Sequence, residues 1–357
     1  MKAAIYSPYL DTLGGGEKYM MTIAETLSLN GITVDCLQDP HLAGFKDLKS
    51  KIASRFNLNL DKINFINAPF GKGSNPVKRF SFLRKYDLFF YLTDGSIFIP
   101  GAKKNFLHIQ SPLVGQPSKN IWGKLKLKGW DLIIYNSEFT RSYAKNNWPI
   151  KNIVVYPPVD TDKLKPLTKK KYILSVGRFF GFLKEKKHEV MIRVFKDISK
   201  EINGWSLHLA GAASEGDLEY LDQLKEVSEG SNVYLHPNLS FEDLKKLYGE
   251  ASIYWHAAGF EEIDPTKTEH FGISTVEAMA SGCVPIVVNA GGQKEIVENE
   301  KNGYLWNDLS QLKDFTRKLI EEEGVLREKL SQNAIKKSQQ FSKEKFEQKI
   351  LSLIYEH

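Results

Sequence analysis

The chain has 357 residues, 42% hydrophobic and 26% charged, with a formal net charge of +6. That length suits two domains better than one core, and the composition is that of a soluble globular protein. It argues against a spanning helix, a signal peptide (Pro8, Tyr9 and Asp11 interrupt any apolar run after Lys2) and a disulfide framework, since Cys36 and Cys283 stand alone and far apart.

Taken in order, Ala3–Ser7 reads as a short buried strand ended by Pro8, followed by the loop Leu13-Gly14-Gly15-Gly16. A helix follows from Glu17, with Tyr19, Met20, Ile23, Ala24 and Leu27 at helical spacing. Strand, Gly-rich turn and helix form a βα unit, but the spacing of the dinucleotide fingerprint is absent. Three adjacent glycines let the backbone approach something bulky or charged, a flexible surface turn being the alternative.

Strands are expected at Thr33–Leu37, Ile63–Asn67 and Leu88–Leu92, with helices between them. Another spans Phe106–Pro112 and carries His108 near its C-terminal end, where functional groups gather in open α/β sheets, although a lone histidine is more often structural. Residues 1 to 165 hold about 23 Lys/Arg against about 13 Asp/Glu, concentrated in Lys46–Arg55, Lys72–Lys85, Lys103–Lys104 and Lys119–Lys128. This half suits an anionic membrane surface or a polyanionic substrate, a merely solvated face being the commonest alternative; no nucleic-acid motif accompanies the charge. The Trp122–Trp130 segment mixes aromatics with Lys124, Lys126 and Lys128 and reads as amphipathic, either a surface contact or a packed loop.

Strands at Leu132–Tyr135 and Ile153–Tyr156 close the first half, and a Pro- and Lys-rich stretch follows. The expected division is 1–160, a linker 161–171, 172–340 and a C-terminal helix 341–357 packing back on the first domain. Asp160-Thr161-Asp162 after two prolines reads as turn chemistry rather than a metal pair. The β/α alternation then restarts with strands at Tyr172–Val176, Ser206–Ala210, Val233–His236 and Ile253–His256, which implies a second parallel sheet.

Gly177-Arg178 follows a strand and Lys186-Lys187 opens the next helix, a pairing suited to a diphosphate. The stretch Thr268–Asn289 is the most informative. Phe271-Gly272-Ile273 reads as a turn, Ser274–Ala280 as a helix capped by Ser274, Gly282 as its stop and Val284–Val288 as a buried strand. Glu269 precedes the helix start and Glu277 lies one turn inside it. A helix N-terminus attracts phosphate, and ionised carboxylates accept hydrogen bonds from sugar and ribose hydroxyls.

In this order the motifs are those of a known family. The chain resembles the family 4 retaining glycosyltransferases, through G-G-G-E-K at Gly14, P-P-V-D at Pro157, S-V-G-R at Ser175, K-K-H-E-V-M-I at Lys186, E-x7-E at Glu269 and Glu277, and G-G-Q-K-E-I-V with N-G-Y-L-W beyond. One departure is Lys187, where the family usually has Gly after its phosphate-binding lysine; Lys186 keeps that position.

The resemblance implies the α/β GT-B fold, two facing Rossmann-like doubly wound domains with a cleft between them. It implies that Arg178 and Lys186 neutralise the donor diphosphate and that Gly15 and Gly16 approach the same phosphates. By the same resemblance Glu269 and the amides of Phe271, Gly272 and Ile273 hold the transferred sugar, Glu277 the ribose, and His108 lies beside the sugar on the acceptor side. Retention would follow from front-face attack, the leaving phosphate accepting the acceptor's proton, with no metal or other cofactor implied. The expected partners are a GDP- or UDP-linked sugar donor and a glycan, lipid-linked or polysaccharide acceptor, not nucleic acid. Glu269–Ile273 is similar to GDP-mannose-dependent mannosyltransferases that extend lipid-linked oligosaccharides. The expected location is cytoplasmic, peripheral at the inner face of a membrane. An epimerase or phosphorylase on the same fold, or a non-catalytic sugar-nucleotide binder, are the competing readings.

Overall fold

The computed structural model describes residues 1–40, 42, 47–71, 73–113, 115, 120–322 and 324–355. Lys46, Lys72 and Lys119 of the basic stretches lie outside the described residues. The chain forms two compact units, Met1–Pro158 with Lys343–His357, and Val159–Ser342.

The first unit runs β1 (Lys2–Tyr6), α1 (Gly15–Leu29), β2 (Thr33–Gln38), α2 (Leu48–Phe56), β3 (Ile63–Asn67), α3 (Pro76–Leu83), β4 (Leu88–Leu92), β5 (Lys104–Ile109), α4 (Ile121–Leu127), β6 (Leu132–Tyr135), α5 (Glu138–Ala144) and β7 (Asn152–Val154). Its seven strands are all parallel, in the order β3-β2-β1-β4-β5-β6-β7. A parallel sheet is covered on both faces, so its inner strands are apolar throughout. Every residue of β4 is buried, and one face packs Ile5, Val34 and Phe90 while the other packs Tyr6, Phe89 and Tyr91.

The second unit runs β8 (Lys170–Val176), α6 (His188–Ile198), β9 (Ser206–Gly211), α7 (Leu218–Ser228), β10 (Val233–Pro237), α8 (Phe241–Glu250), β11 (Ala251–His256), α9 (Ile273–Ala280), β12 (Val284–Val288), α10 (Gln293–Ile296), β13 (Tyr304–Trp306), α11 (Leu309–Glu321) and α12 (Val325–Ser338). The last helix, α13 (Lys343–Tyr355), belongs to the first unit, where Phe346 meets Tyr19 edge-on and Ile350 and Leu353 join the core beside α1.

The second sheet is also parallel, ordered β10-β9-β8-β11-β12-β13. Both sheets reverse direction beside their first strand, at β1/β4 and at β8/β11. The crevice beyond the strand C-termini at such a reversal is where this architecture binds ligands, because the connecting loops diverge to either face there. α6 illustrates how the layers seal: Met191, Ile192, Val194, Phe195 and Ile198 recur at helical spacing and are buried on the sheet. Each such side chain contributes about 1.5–3 kcal/mol by leaving water. Asp160 ends in a turn, as its residue types imply: its carbonyl accepts from Lys163 N–H and its carboxylate pairs with Lys163 Nζ at 3.2 Å.

Candidate active site

Two of the residues read from the sequence of the second half, Lys186 and Glu269, meet beside the C-terminal ends of β8 and β11. Lys186, in the loop before α6, places Nζ 2.6 Å from Glu269 Oε2. The same carboxylate oxygen accepts from His256 Nε2, 3.1 Å away at the last position of β11. Gly177 makes this arrangement feasible: a Cβ there would stand 2.8 Å from Lys186 Cγ and 2.9 Å from Cδ, so only glycine lets the lysine stem cross the end of β8. Gly211 does the same one strand over, where a Cβ would fall 1.9 Å from the Gly177 carbonyl oxygen.

The electrostatics follow from burial and pairing. Burial by itself would push the Glu269 carboxyl up, but Lys186 and the His256 hydrogen bond hold it well below the usual carboxylate range. Burial lowers the His256 imidazole despite the neighbouring carboxylate. The ring is therefore neutral near pH 7, with Nε2–H donating to Glu269 and Nδ1 left as a buried acceptor with no partner. His188, which opens α6, is pushed down to about 3 by burial and by Lys186 nearby, and stacks on Phe179.

Lys187 adopts a left-handed backbone, φ 54°, and its Nζ pairs with Glu262 at 2.6 Å. A glycine would enter that conformation without a Cβ penalty. Lys186 and Lys187 thus point to different carboxylates, and Lys186 is the one that reaches Glu269. Arg178 is exposed, two residues beyond the end of β8.

The start of α9 differs from the expected serine cap. The helix begins at Ile273 with Gly272 as N-cap (φ 118°, ψ 56°) and no side-chain cap. The Ser274 hydroxyl instead accepts from Tyr254 OH at 2.8 Å, tying the helix start to β11. With no capping side chain, Thr275 N–H turns back to Gly272 O at 3.1 Å, and the helix start keeps the N-terminal polarity that suits an anion. The helix stop is as read: Gly282, φ 79°, donates to Met279 O at 3.0 Å while Cys283 donates to Ala278 O at 2.9 Å, a Schellman closure. Phe271 is buried against Phe341, so it contributes packing through its ring. Glu277, one turn into α9, accepts from Tyr248 OH at 3.0 Å.

The first unit holds the remaining predicted residues. Gly15 and Gly16 open α1 behind Gly14, and Glu17 Oε2 closes the loop by accepting from Gly14 N–H at 2.9 Å and Thr12 OH at 2.8 Å. A Cβ on Gly16 would overlap the Gln110 side chain at 2.3 Å. His108 is 1% exposed, stacked 3.8 Å from Tyr19, and its Nδ1–H donates to the Ile134 carbonyl at 3.0 Å. Burial pushes its pKa down to about 3, so the ring is neutral with Nε2 an unpartnered acceptor.

Sequence reasoning missed His256, Tyr248, Tyr254 and Gln293. His256 carried one usable signal: it ends a strand in the second half, the same kind of position that singled out His108 in the first. Nothing local marks the tyrosines, whose hydroxyls find partners 20 and 29 residues away.

Comparison with known proteins identifies the family and the fold. The family model described as "Glycosyl transferases group 1" matches residues 159–337, half of the chain, including Arg178, Lys186, Glu269 and Glu277. A Dictyostelium discoideum GDP-Man:Man(3)GlcNAc(2)-PP-Dol alpha-1,2-mannosyltransferase is 25% identical over 97% of this chain and 63% of its own length. The Mus musculus protein of the same name is 30% identical over 61% of this chain and 46% of its own. The chain thus spans about half to two thirds of the length of these relatives. Among solved structures, a glycosyltransferase from Rickettsia africae superposes with TM-score 0.76 at 20% identity, covering 99% of this chain and 98% of that one. HepE of Anabaena in complex with UDP gives 0.74 at 18% identity, covering 100% and 99%. The two Rossmann-like units are those of the GT-B fold, and the chain belongs to the glycosyl transferases group 1 family.

Proposed function

We propose that the protein is a retaining hexosyltransferase that moves a sugar, mannose in the first instance, from a nucleotide diphosphate donor to a glycan or lipid-linked acceptor. One observation carries this reading: an ionised Glu269 held by Lys186 and His256 at the sheet reversal, beside a helix start with no capping side chain. The relatives' printed names favour GDP-mannose as donor and a dolichyl diphosphate oligosaccharide as acceptor; HepE, in complex with UDP, keeps UDP-sugars in the test.

In this mechanism Arg178 and Lys186 neutralise the charge that grows on the diphosphate as the anomeric C–O bond breaks. Glu269 and the Phe271–Ile273 amides orient the sugar, and Glu277 holds the ribose. The acceptor hydroxyl attacks from the face that the diphosphate leaves, and its proton passes to the departing phosphate oxygen. Gly15, Gly16 and His108 are assigned to the donor phosphates and the acceptor side as a proposal. The neutral His108 ring offers only an acceptor nitrogen there.

Peripheral contact with an anionic membrane is part of the same reading. No helix of the described residues is long and apolar enough to cross a membrane. In α4, however, Ile121 and Trp122 are about 70% exposed beside exposed Lys124 and Lys128. Trp130, from the same sequence stretch, is buried, its indole N–H bonded to Phe98 O. Sedimentation with anionic vesicles at low salt tests the contact, and no binding there would dismiss it.

A panel of GDP- and UDP-sugars with lipid-linked acceptors tests the transferase reading. Transfer or slow donor hydrolysis is expected, lost in Glu269→Ala and Arg178→Ala; unchanged rates in both would sink it. Release of an epimerised sugar nucleotide, or phosphate-dependent release of sugar phosphate, would favour the epimerase or phosphorylase reading instead.

A further inference from the structure

The Gly291-Gly292-Gln293 turn after β12 interlocks with the loop that carries Glu269. Gly291 has φ 60°, and a Cβ on it would lie 2.1 Å from the Glu269 carbonyl oxygen. A Cβ on Gly292 would lie 2.5 Å from the His270 carbonyl oxygen and 2.6 Å from Phe271 Cα, while Gly292 N–H donates to Glu269 O at 2.8 Å. This close approach drives the Gln293 side chain under the N-cap of α9, where Nε2 stands 2.7 Å from the position of a Cβ on Gly272.

Gln293 is 0% exposed, and both its amide nitrogen and its amide oxygen lack a hydrogen-bond partner. Leaving a donor and an acceptor buried and unpaired is unfavourable, and an apolar side chain of this size would avoid it. The amide touches the one turn that the proposed function asks to present its peptide groups to the donor.

We infer that Gln293 is a positioning residue for the donor loop, whose side-chain amide completes its hydrogen bonds with the Phe271–Ile273 peptides in the donor-bound arrangement and so stabilises that arrangement. This rests on the reading of residues 269–277 as the donor site. The amide is out of reach of ligand, so it acts through Gly272: a peptide bonded to Gln293 from below turns its other polar group toward the donor. Pairing of the amide favours the donor-bound arrangement of the loop over any arrangement that leaves it buried and unpaired.

The test compares wild type with Gln293→Leu and Gln293→Met, the second keeping the unbranched shape in case the first does not fold. GDP-mannose and UDP-glucose serve as probes, read by calorimetry, unfolding midpoint and hydrogen exchange of the Gly272–Thr275 amides. The expected result is a midpoint without ligand that is unchanged or higher, with affinity for the bound probe weakened about tenfold, the worth of one to two hydrogen bonds. Slowing of amide exchange on binding should be lost. A purely structural glutamine would instead lower the midpoint and leave affinity intact, and that outcome overturns the inference. Equal affinity in wild type and both variants does so too while the donor reading stands. If wild type binds neither probe and Glu269→Ala changes nothing, the donor reading fails and the inference with it.

Discussion

Lys186 Nζ and Glu269 Oε2 are 2.6 Å apart although 83 residues separate them in the chain. The pair is partly buried, with side-chain exposures of 29% and 19%. Its cation is also the group proposed for the donor phosphates, so a bound diphosphate and Glu269 compete for it. Lys186→Ala should weaken donor binding more than tenfold, and it should cost about 1–3 kcal/mol of stability because Glu269 keeps its burial and loses its main partner. Urea unfolding and donor titration on the same sample check both.

Glu269→Gln keeps the shape of the site but removes its charge. If the carboxylate orients the moving sugar, turnover should fall by about 100-fold or more, since the charge is needed as the transition state forms, while donor affinity holds or rises because Lys186 is freed for the diphosphate. Steady-state kinetics under saturating donor separates this from a binding defect.

Stability should fall on acidification from about pH 6.5. Burial holds His108 and His188 to about 3 and His208 to about 4, and it lowers His256 and His236 as well. A histidine whose folded pKa is depressed binds more protons when unfolded, so folding weakens as pH drops below the unfolded value of about 6.5. Each contributes up to about 1.4 kcal/mol per pH unit, less for the hydrogen-bonded His208–His236 pair titrating together. Glu269, depressed by Lys186, adds its own loss below about pH 4. Urea midpoints between pH 7 and 4 check the sign, and His108→Asn should flatten the slope.

Lys187→Gly and Lys187→Ala should differ. Glycine relieves the left-handed backbone by about 1 kcal/mol, which offsets loss of the Glu262 pair, so the midpoint should stay close to wild type. Alanine loses the pair and keeps the strain, and should be less stable by up to about 1 kcal/mol. Equal midpoints for the two would remove the argument from φ.

Gly291→Ala should be more damaging than its size suggests. Its Cβ would strike the backbone carbonyl of Glu269, which cannot swing aside as a side chain could, at a positive φ. A loss of about 1–3 kcal/mol is expected, accompanied by weaker donor binding as the Glu269 loop is displaced. Thermal unfolding and donor titration test it.

The order of strands and helices and the glycine that stops α9 were legible in the sequence because each rests on a local signal. These are apolar runs of strand length, amphipathic spacing, and the backbone freedom of Gly beside the restriction of Pro. The candidate site residues between Arg178 and Glu277 were picked out by their places at strand ends and helix starts together with a family resemblance. Those signals carry no information about partners far along the chain. Only the tertiary structure decided that Lys186 rather than Lys187 meets Glu269, that His256 shares the same oxygen, and that Ser274 serves Tyr254 instead of capping its helix. The folded chain alone also leaves the Gln293 amide buried and unpaired beneath Gly272. Burial, pKa and hydrogen-bond satisfaction are set by what surrounds a side chain on every side, and a parallel sheet assembles that surrounding from strands that are not neighbours in sequence.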